Sequence, residues 1–134
     1  MAEAIEVSAE IPASPESIYE AWLDGKLHAA MTGAGASAEP GVGGKYTAWD
    51  GYIWGVNLEL EPGKYFVQSW HTTEFPEGSE DSRLEVQLVA VEERTKVTLM
   101  HTNIPDGQGA MYKQGWHDHY FEPMKDYFSK ESQD

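Results

Sequence analysis

The sequence predicts an α+β domain in which an antiparallel sheet curves around one long C-terminal helix. Three observations carry this. Within residues 110–130, Trp116, Tyr120, Met124 and Tyr127 fall at i, i+4, i+8 and i+11, the spacing of one helix face. From residue 44 onward the pattern changes to alternation, broken by short turn signals such as Asp50-Gly51 and Pro62-Gly63. Sequential strands joined by short turns form an antiparallel sheet, and helices segregated from the strands define α+β order.

Taken in order, Ile5, Val7, Ala9 and Ile11 alternate with Glu6, Ser8 and Glu10, which reads as a half-buried strand. Ser14-Pro15-Glu16 then opens a helix. Ser14 suits the N-cap, Pro15 the first turn, and Glu16 the positive end of the dipole. Ile18, Tyr19 and Trp22 supply its apolar side. Asp24 caps a second short helix running to Met31, with Leu27, Ala30 and Met31 inward. Residues 32–44 are glycine-rich and aperiodic. They read as a connector with a short strand near Ala36 to Glu39, in preference to a mobile lid over an opening.

Lys45 to Asp50 is a strand, turned back by Asp50-Gly51. Trp54, Val56, Leu58 and Leu60 share one face of the next, with Asn57, Glu59 and Glu61 opposite. In Lys64 to Thr73, Phe66 and Trp70 face one way and Tyr65, Val67 and His71 the other. Phe75-Pro76-Glu77-Gly78 closes this strand. Leu84, Val86 and Leu88 alternate with Glu85 and Gln87. After a turn at Glu92 to Arg94, the residues Val97, Leu99, His101 and Asn103 share a face. Asp106 is placed to cap the long helix. In that helix His117, Phe121 and Phe128 widen the apolar arc, and Asp118, Glu122, Lys125 and Asp126 face water. Gly115 costs about 1 kcal/mol relative to Ala in a helix interior. Pro123 lacks an N–H and leaves the carbonyl of His119 unpaired. One helix bent at Pro123 is expected, not two.

The 134 residues suit a single domain, 1–134. A chain without cysteine has no disulfide, thiolate metal site or cysteine nucleophile. With 23 Asp+Glu against 9 Lys+Arg, the formal charge is −14. Such a surface repels phosphate backbones and anionic membranes, so neither nucleic acid nor a membrane surface is an expected partner. No apolar run reaches spanning length and the N-terminus does not read as a signal peptide. The expected location is the cytoplasm, without membrane insertion.

The five histidines, His28, His71, His101, His117 and His119, show no close ligand spacing. No nucleophile elbow or phosphate loop is present. Neither metal nor cofactor is therefore expected, and no catalytic residue is assigned. Aromatic residues make up 12% of the chain. Tyr46, Trp49, Trp54, Trp70, Trp116 and Tyr120, together with His101, are the candidate ligand-binding residues. They would line a cavity of at least roughly 300 Å³ between sheet and helix, with His101 exposed to it. His101→Leu should then change polar-ligand affinity more than fold stability. The plainer alternative is that the rings fill the core and His101 bonds a neighbouring side chain.

A set of short matches runs through nearly the whole chain. It begins with Ile11-Pro12-Ala13-Ser14-Pro15, Trp22 and Thr32-Gly33, and continues with Gly43-Gly44-Lys45-Tyr46 and Asp50-Gly51-Tyr52-Ile53-Trp54-Gly55. Leu60-Glu61-Pro62, Trp70, Thr95, Leu99, His101 and Gly115-Trp116 complete it. In this order and spacing the sequence resembles the START-like (SRPBCC) superfamily, and within it the family named for activators of the heat-shock protein 90 ATPase. The resemblance implies a helix-grip fold over the whole chain. It also implies binding of a small hydrophobic or amphipathic molecule, since superfamily members hold lipids, hormones or polyketides. The alternatives are a small cyclase- or hydrolase-type enzyme using His101, or a co-chaperone-like protein with a chaperone as partner. A monomer or a homodimer is expected.

Overall fold

In the computed structural model, which describes residues 3–131, the first strand, β1 (Glu3–Ile11), buries Val7 and Ile11 and turns Glu6, Ser8 and Glu10 outward. Helix α1 (Pro15–Leu23) starts where Ser14 Oγ accepts the backbone N–H of Ser17 at 3.1 Å, and it buries Ile18, Ala21 and Trp22. Helix α2 (Gly25–Thr32) is capped by Asp24 Oδ1, which accepts from the Leu27 N–H at 3.0 Å, and it ends on left-handed Gly33. Its buried residues are His28 and Met31, while Ala30 is exposed. This corrects the predicted stripe: the helix is rolled so that His28 reaches partners on α1 and on the long helix.

Five longer strands follow a two-residue one, β2 (Ser37–Ala38). They are β3 (Lys45–Ala48), β4 (Ile53–Glu61), β5 (Tyr65–Thr72), β6 (Ser82–Val91) and β7 (Arg94–Ile104). The seven strands make one sheet in the order β1-β7-β6-β5-β4-β3-β2, with every pair antiparallel. The chain then runs through α3 (Gly109–Trp116), a π turn (His117–Phe121) and α4 (Glu122–Glu131). This is the helix-grip arrangement. The core lies between the sheet and this helix, where Phe66, Leu84, Leu99, Phe121 and Met124 are almost fully buried. Each contributes about 1.5–3 kcal/mol relative to an exposed position.

Two bulges redirect side chains that strict alternation assigns elsewhere. In β4 the register with β5 shifts between Asn57 and Glu59, so Leu58 is an extra residue. Ile53 and Asn57 point inward before it, while Trp54 and Leu58 are exposed. The predicted inward face of Trp54, Val56 and Leu58 is therefore the outer one. In β7 Asn103 has φ 59°, and the pairing with β1 slips between Glu3 and Ile5. Asn103 turns out to donate its Nδ2–H to Asp81 O at 3.0 Å, and Ile104 fills the inward place. The predicted stripe accordingly stops at His101.

The long helix begins at Gly109, three residues beyond the predicted cap at Asp106. The N–H of Gly109 donates to Glu3 Oε1 at 2.6 Å, which sets a carboxylate from β1 at the positive end of the dipole. The single bent helix predicted from Pro123 is present. Its bend is a π turn, in which the Glu122 N–H donates to His117 O, immediately before the proline ring disturbs the α pattern.

Candidate functional site

The sheet's concave face is filled mainly by rings packed on one another. Trp70 on β5 has its ring centroid 4.5 Å from His101, 4.9 Å from Tyr112 and 5.5 Å from Trp116. Trp116 lies 4.8 Å from Tyr120, and Trp22 stacks on Tyr120 at 5.0 Å. An accessible space walled mainly by aromatic rings lies beside this stack. It is a half-open cleft of about 470 Å³ between the N-terminal half of the long helix and the turn joining β3 to β4. Trp49, Tyr52 and Ile53 line it from the turn side and Trp70 from β5. Helix α3 contributes Met111, Tyr112, Gly115 and Trp116, and the π turn contributes His119 and Tyr120.

Local chemistry explains the shape. Gly115 leaves the helix wall low; a Cβ there would meet only His119 Cδ2, at 3.8 Å. Trp49, Asp50 and Gly51 all have left-handed backbone, with φ of 54°, 58° and 91°. That conformation is strained for tryptophan and is held from outside. The Asp50 N–H donates to Gly35 O at 2.9 Å, and Asp50 Oδ1 accepts from the Gly35 N–H at 2.9 Å. The glycine-rich segment thus pins the turn, and the turn sets the half-buried Trp49 5.3 Å from His119 and 6.2 Å from Tyr120.

The deeper histidines and tyrosines at this site are already satisfied. Ser82 Oγ donates to Trp70 O at 2.6 Å, so His101 Nε2–H must donate to Ser82 Oγ, 2.8 Å away. The other ring nitrogen, Nδ1, accepts from Trp116 Nε1–H at 3.2 Å. Burial holds the His101 pKa down at about 3. No lone pair of the imidazole remains for a ligand or a substrate proton. His28 is similar. Its Nδ1–H donates to Trp22 O at 2.9 Å, and its Nε2 accepts the Tyr120 hydroxyl at 3.0 Å. Burial lowers the His28 pKa, an effect partly offset by the bond to Trp22. The Tyr112 hydroxyl donates to Gln108 Oε1 at 2.8 Å and accepts from Thr72 Oγ1 at 2.7 Å. Burial pushes the Tyr112 and Tyr120 pKa values up.

Of the seven residues singled out from sequence, Trp49, Trp70, Trp116 and Tyr120 meet at the cleft. The other three do not. Tyr46 is buried and donates its hydroxyl to Ser69 O at 2.6 Å. Trp54 sits on the outer face, 39% exposed, with its ring 4.8 Å from His71, whose Nδ1 is 3.0 Å from Asp81. His101 is completely buried, not exposed to a cavity. Sequence reasoning missed Tyr52, Ile53, Met111, Tyr112, Gly115 and His119 as cleft residues. A signal for the last four existed. Positions 111, 115 and 119 form a second i, i+4 stripe beside 112, 116 and 120.

The model for the "Activator of Hsp90 ATPase homolog 1-like protein" family matches residues 12–129. The chain belongs to this family. The human activator of 90 kDa heat shock protein ATPase homolog 1 is 30% identical over 115 residues, which is 86% of this chain and 34% of the human protein. The Dictyostelium discoideum homologue is 27% identical over 128 residues, 96% of this chain and 33% of its own length. The chain therefore spans about a third of the curated relatives it matches. Among solved structures, an HSP90 activator from Plasmodium falciparum superposes with a TM-score of 0.86 at 25% identity, covering 94% of this chain and 96% of that one. CalU16 from Micromonospora echinospora, at 20% identity and TM-score 0.79, shares the fold.

Proposed function

We propose that the protein binds a small, mainly apolar molecule in the cleft beside the long helix. The observation that carries this reading is the cleft itself: about 470 Å³, walled by Trp49, Tyr52, Trp70, Tyr112, Trp116 and Tyr120 and open at Gly115. Its volume falls within the usual range for small-ligand sites, about 300–1,000 Å³. A catalytic role through His101 loses its basis, because both ring nitrogens are bonded inside the core. The test is a titration with the neutral dye N-phenyl-1-naphthylamine, followed by its emission and by tryptophan quenching. Saturable binding is expected to the wild type, and at least about tenfold weaker binding to Gly115→Leu, whose side chain fills the opening. Equal affinity in the two proteins, or none in the wild type, refutes the reading.

A second reading, a chaperone-related partner, is favoured by one specific observation. The Plasmodium falciparum HSP90 activator matches end to end, at 94% and 96% coverage. Adding this chain to a 90-kDa heat-shock protein should then raise its steady-state ATP hydrolysis. An unchanged rate at saturating chain would dismiss that role.

A further inference from the structure

We propose that the cleft prefers organic ammonium cations over neutral and anionic molecules of the same shape. This inference rests on the reading of the cleft as a ligand site. Six of its lining residues, Trp49, Tyr52, Trp70, Tyr112, Trp116 and Tyr120, carry aromatic rings. The face of each ring is electronegative and attracts a cation brought within about 6 Å of its centroid. Among the described residues no lysine or arginine lines the cleft; its one basic side chain is the His119 imidazole, which sits edge-on to Trp49 with ring centroids 5.3 Å apart.

The remaining polar groups narrow the class further. The hydroxyls of Tyr112 and Tyr120 are bonded to Gln108, Thr72 and His28, so they are poorly placed to act as the main recognition groups. Among the described residues no carboxylate lines the cleft either. Recognition then falls to the ring faces, which suit a weakly hydrated alkylammonium rather than a strongly hydrated metal ion. The whole-molecule field acts in the same direction. A formal charge of −14 enriches cations near the surface and depletes anions.

Three naphthalenes of one size separate these terms: 1-naphthylmethylammonium, 1-naphthylmethanol and 1-naphthoate. Their affinities for the intact chain are measured by calorimetry at low salt and at about 0.5 M NaCl, where the Debye length shrinks to about 4 Å. At low salt the ammonium should bind about tenfold tighter than the alcohol, and the naphthoate more weakly than either. High salt should remove the long-range share and leave a preference of about threefold, which belongs to the rings. Trp49→Leu and Tyr52→Leu each keep an apolar wall but delete a ring. Each should reduce the high-salt cation preference while leaving alcohol affinity within about threefold. If the alcohol or the naphthoate binds as tightly as the ammonium, the inference falls and the ligand-site reading stands. If the preference is the same in both variants as in the wild type, the rings are not its source and the inference also falls. If none of the three binds, both readings fall together.

Discussion

His101 makes a sharp test at the residue scale. Its folded pKa is lowered by burial from 6.5 to about 3. Between these values the unfolded chain takes up a proton that the folded chain refuses. The neutral ring's contribution to stability is therefore fully present above pH 6.5 and is lost progressively as the pH falls toward 3. The slope is about 1.4 kcal/mol per pH unit for one proton. Buried His28, also shifted down, adds to it in the same direction. In urea melts from about pH 7 to about pH 5, the wild type should lose about 2 kcal/mol more than His101→Gln. Parallel losses would show that His101 is not excluded from protonation. His101→Leu should cost about 2–4 kcal/mol, because it orphans Trp116 Nε1–H and breaks the chain through Ser82. That reverses the ordering expected from sequence, where polar-ligand affinity was to suffer more than stability. The inward position of His101 was legible in the run Val97-Leu99-His101. Its partners were not, because Ser82 and Trp116 reach it only through the β6–β7 register and the seating of the helix. The rings of Trp70, Trp116 and Tyr120 were legible for the same reason of simple periodicity. Trp54 was not, because the bulge at Leu58 puts Leu60 on the opposite face from Trp54 and leaves no mark in an alternating string of residues.

At the scale of elements, two glycines show the difference between a close approach and an opening. A Cβ on Gly55 would run into the Ser69 carbonyl and come within 2.9 Å of Tyr46 Cε1. The strands are held there by Val56 N–H donating to Ser69 Oγ at 2.9 Å and by the Tyr46 hydroxyl on Ser69 O, so the backbone has little room to retreat. Gly55→Ala should cost about 2–4 kcal/mol, a clash cost carried by the main chain. Gly115→Ala, with nothing nearer than His119 Cδ2 at 3.8 Å, should instead gain about 1 kcal/mol in helix propensity. Urea melts of the two variants decide it, and equal effects would sink the distinction. Strand order, turns and the long helix were legible because each rests on local chemistry: alternation, Asp50-Gly51, Pro62-Gly63, Ser14 and Asp24 as caps. The misreadings share one cause. The bulges at Leu58 and Asn103, the rolled α2 and the cap supplied by Glu3 are all settled by a partner distant in sequence. Pro123 signalled a bend, but not that the bend would take the form of a π turn placing His119 and Tyr120 on the cleft wall.

For the molecule as a whole, charge is the dominant unbalanced quantity. Arg83 pairs with Glu59 and Glu85, Arg94 with Glu10, and Lys125 with Glu122, all at partly exposed positions. Exposed pairs of this kind contribute about 0–1 kcal/mol each. These pairs do not balance the composition, which sets 23 acidic side chains against 9 Lys+Arg. Folding gathers these carboxylates into a smaller volume than the unfolded chain occupies, so self-repulsion works against the native state. Salt weakens that repulsion once the Debye length drops below the spacing of surface charges, from about 30 Å at 0.01 M to about 3 Å at 1 M. The melting temperature should therefore climb by several degrees between low salt and about 0.5 M NaCl, and then level off as screening saturates. Potassium chloride should produce the same rise, since screening depends on ionic strength and not on a specific bound cation. A rise seen with sodium but not with potassium would point to discrete ion binding instead. The same field should keep a random DNA duplex from being retained in a low-salt gel shift, where attraction to a basic surface would be strongest. A melting temperature that ignores salt altogether would mean that the acidic side chains are spaced widely enough on the folded surface for repulsion to be negligible.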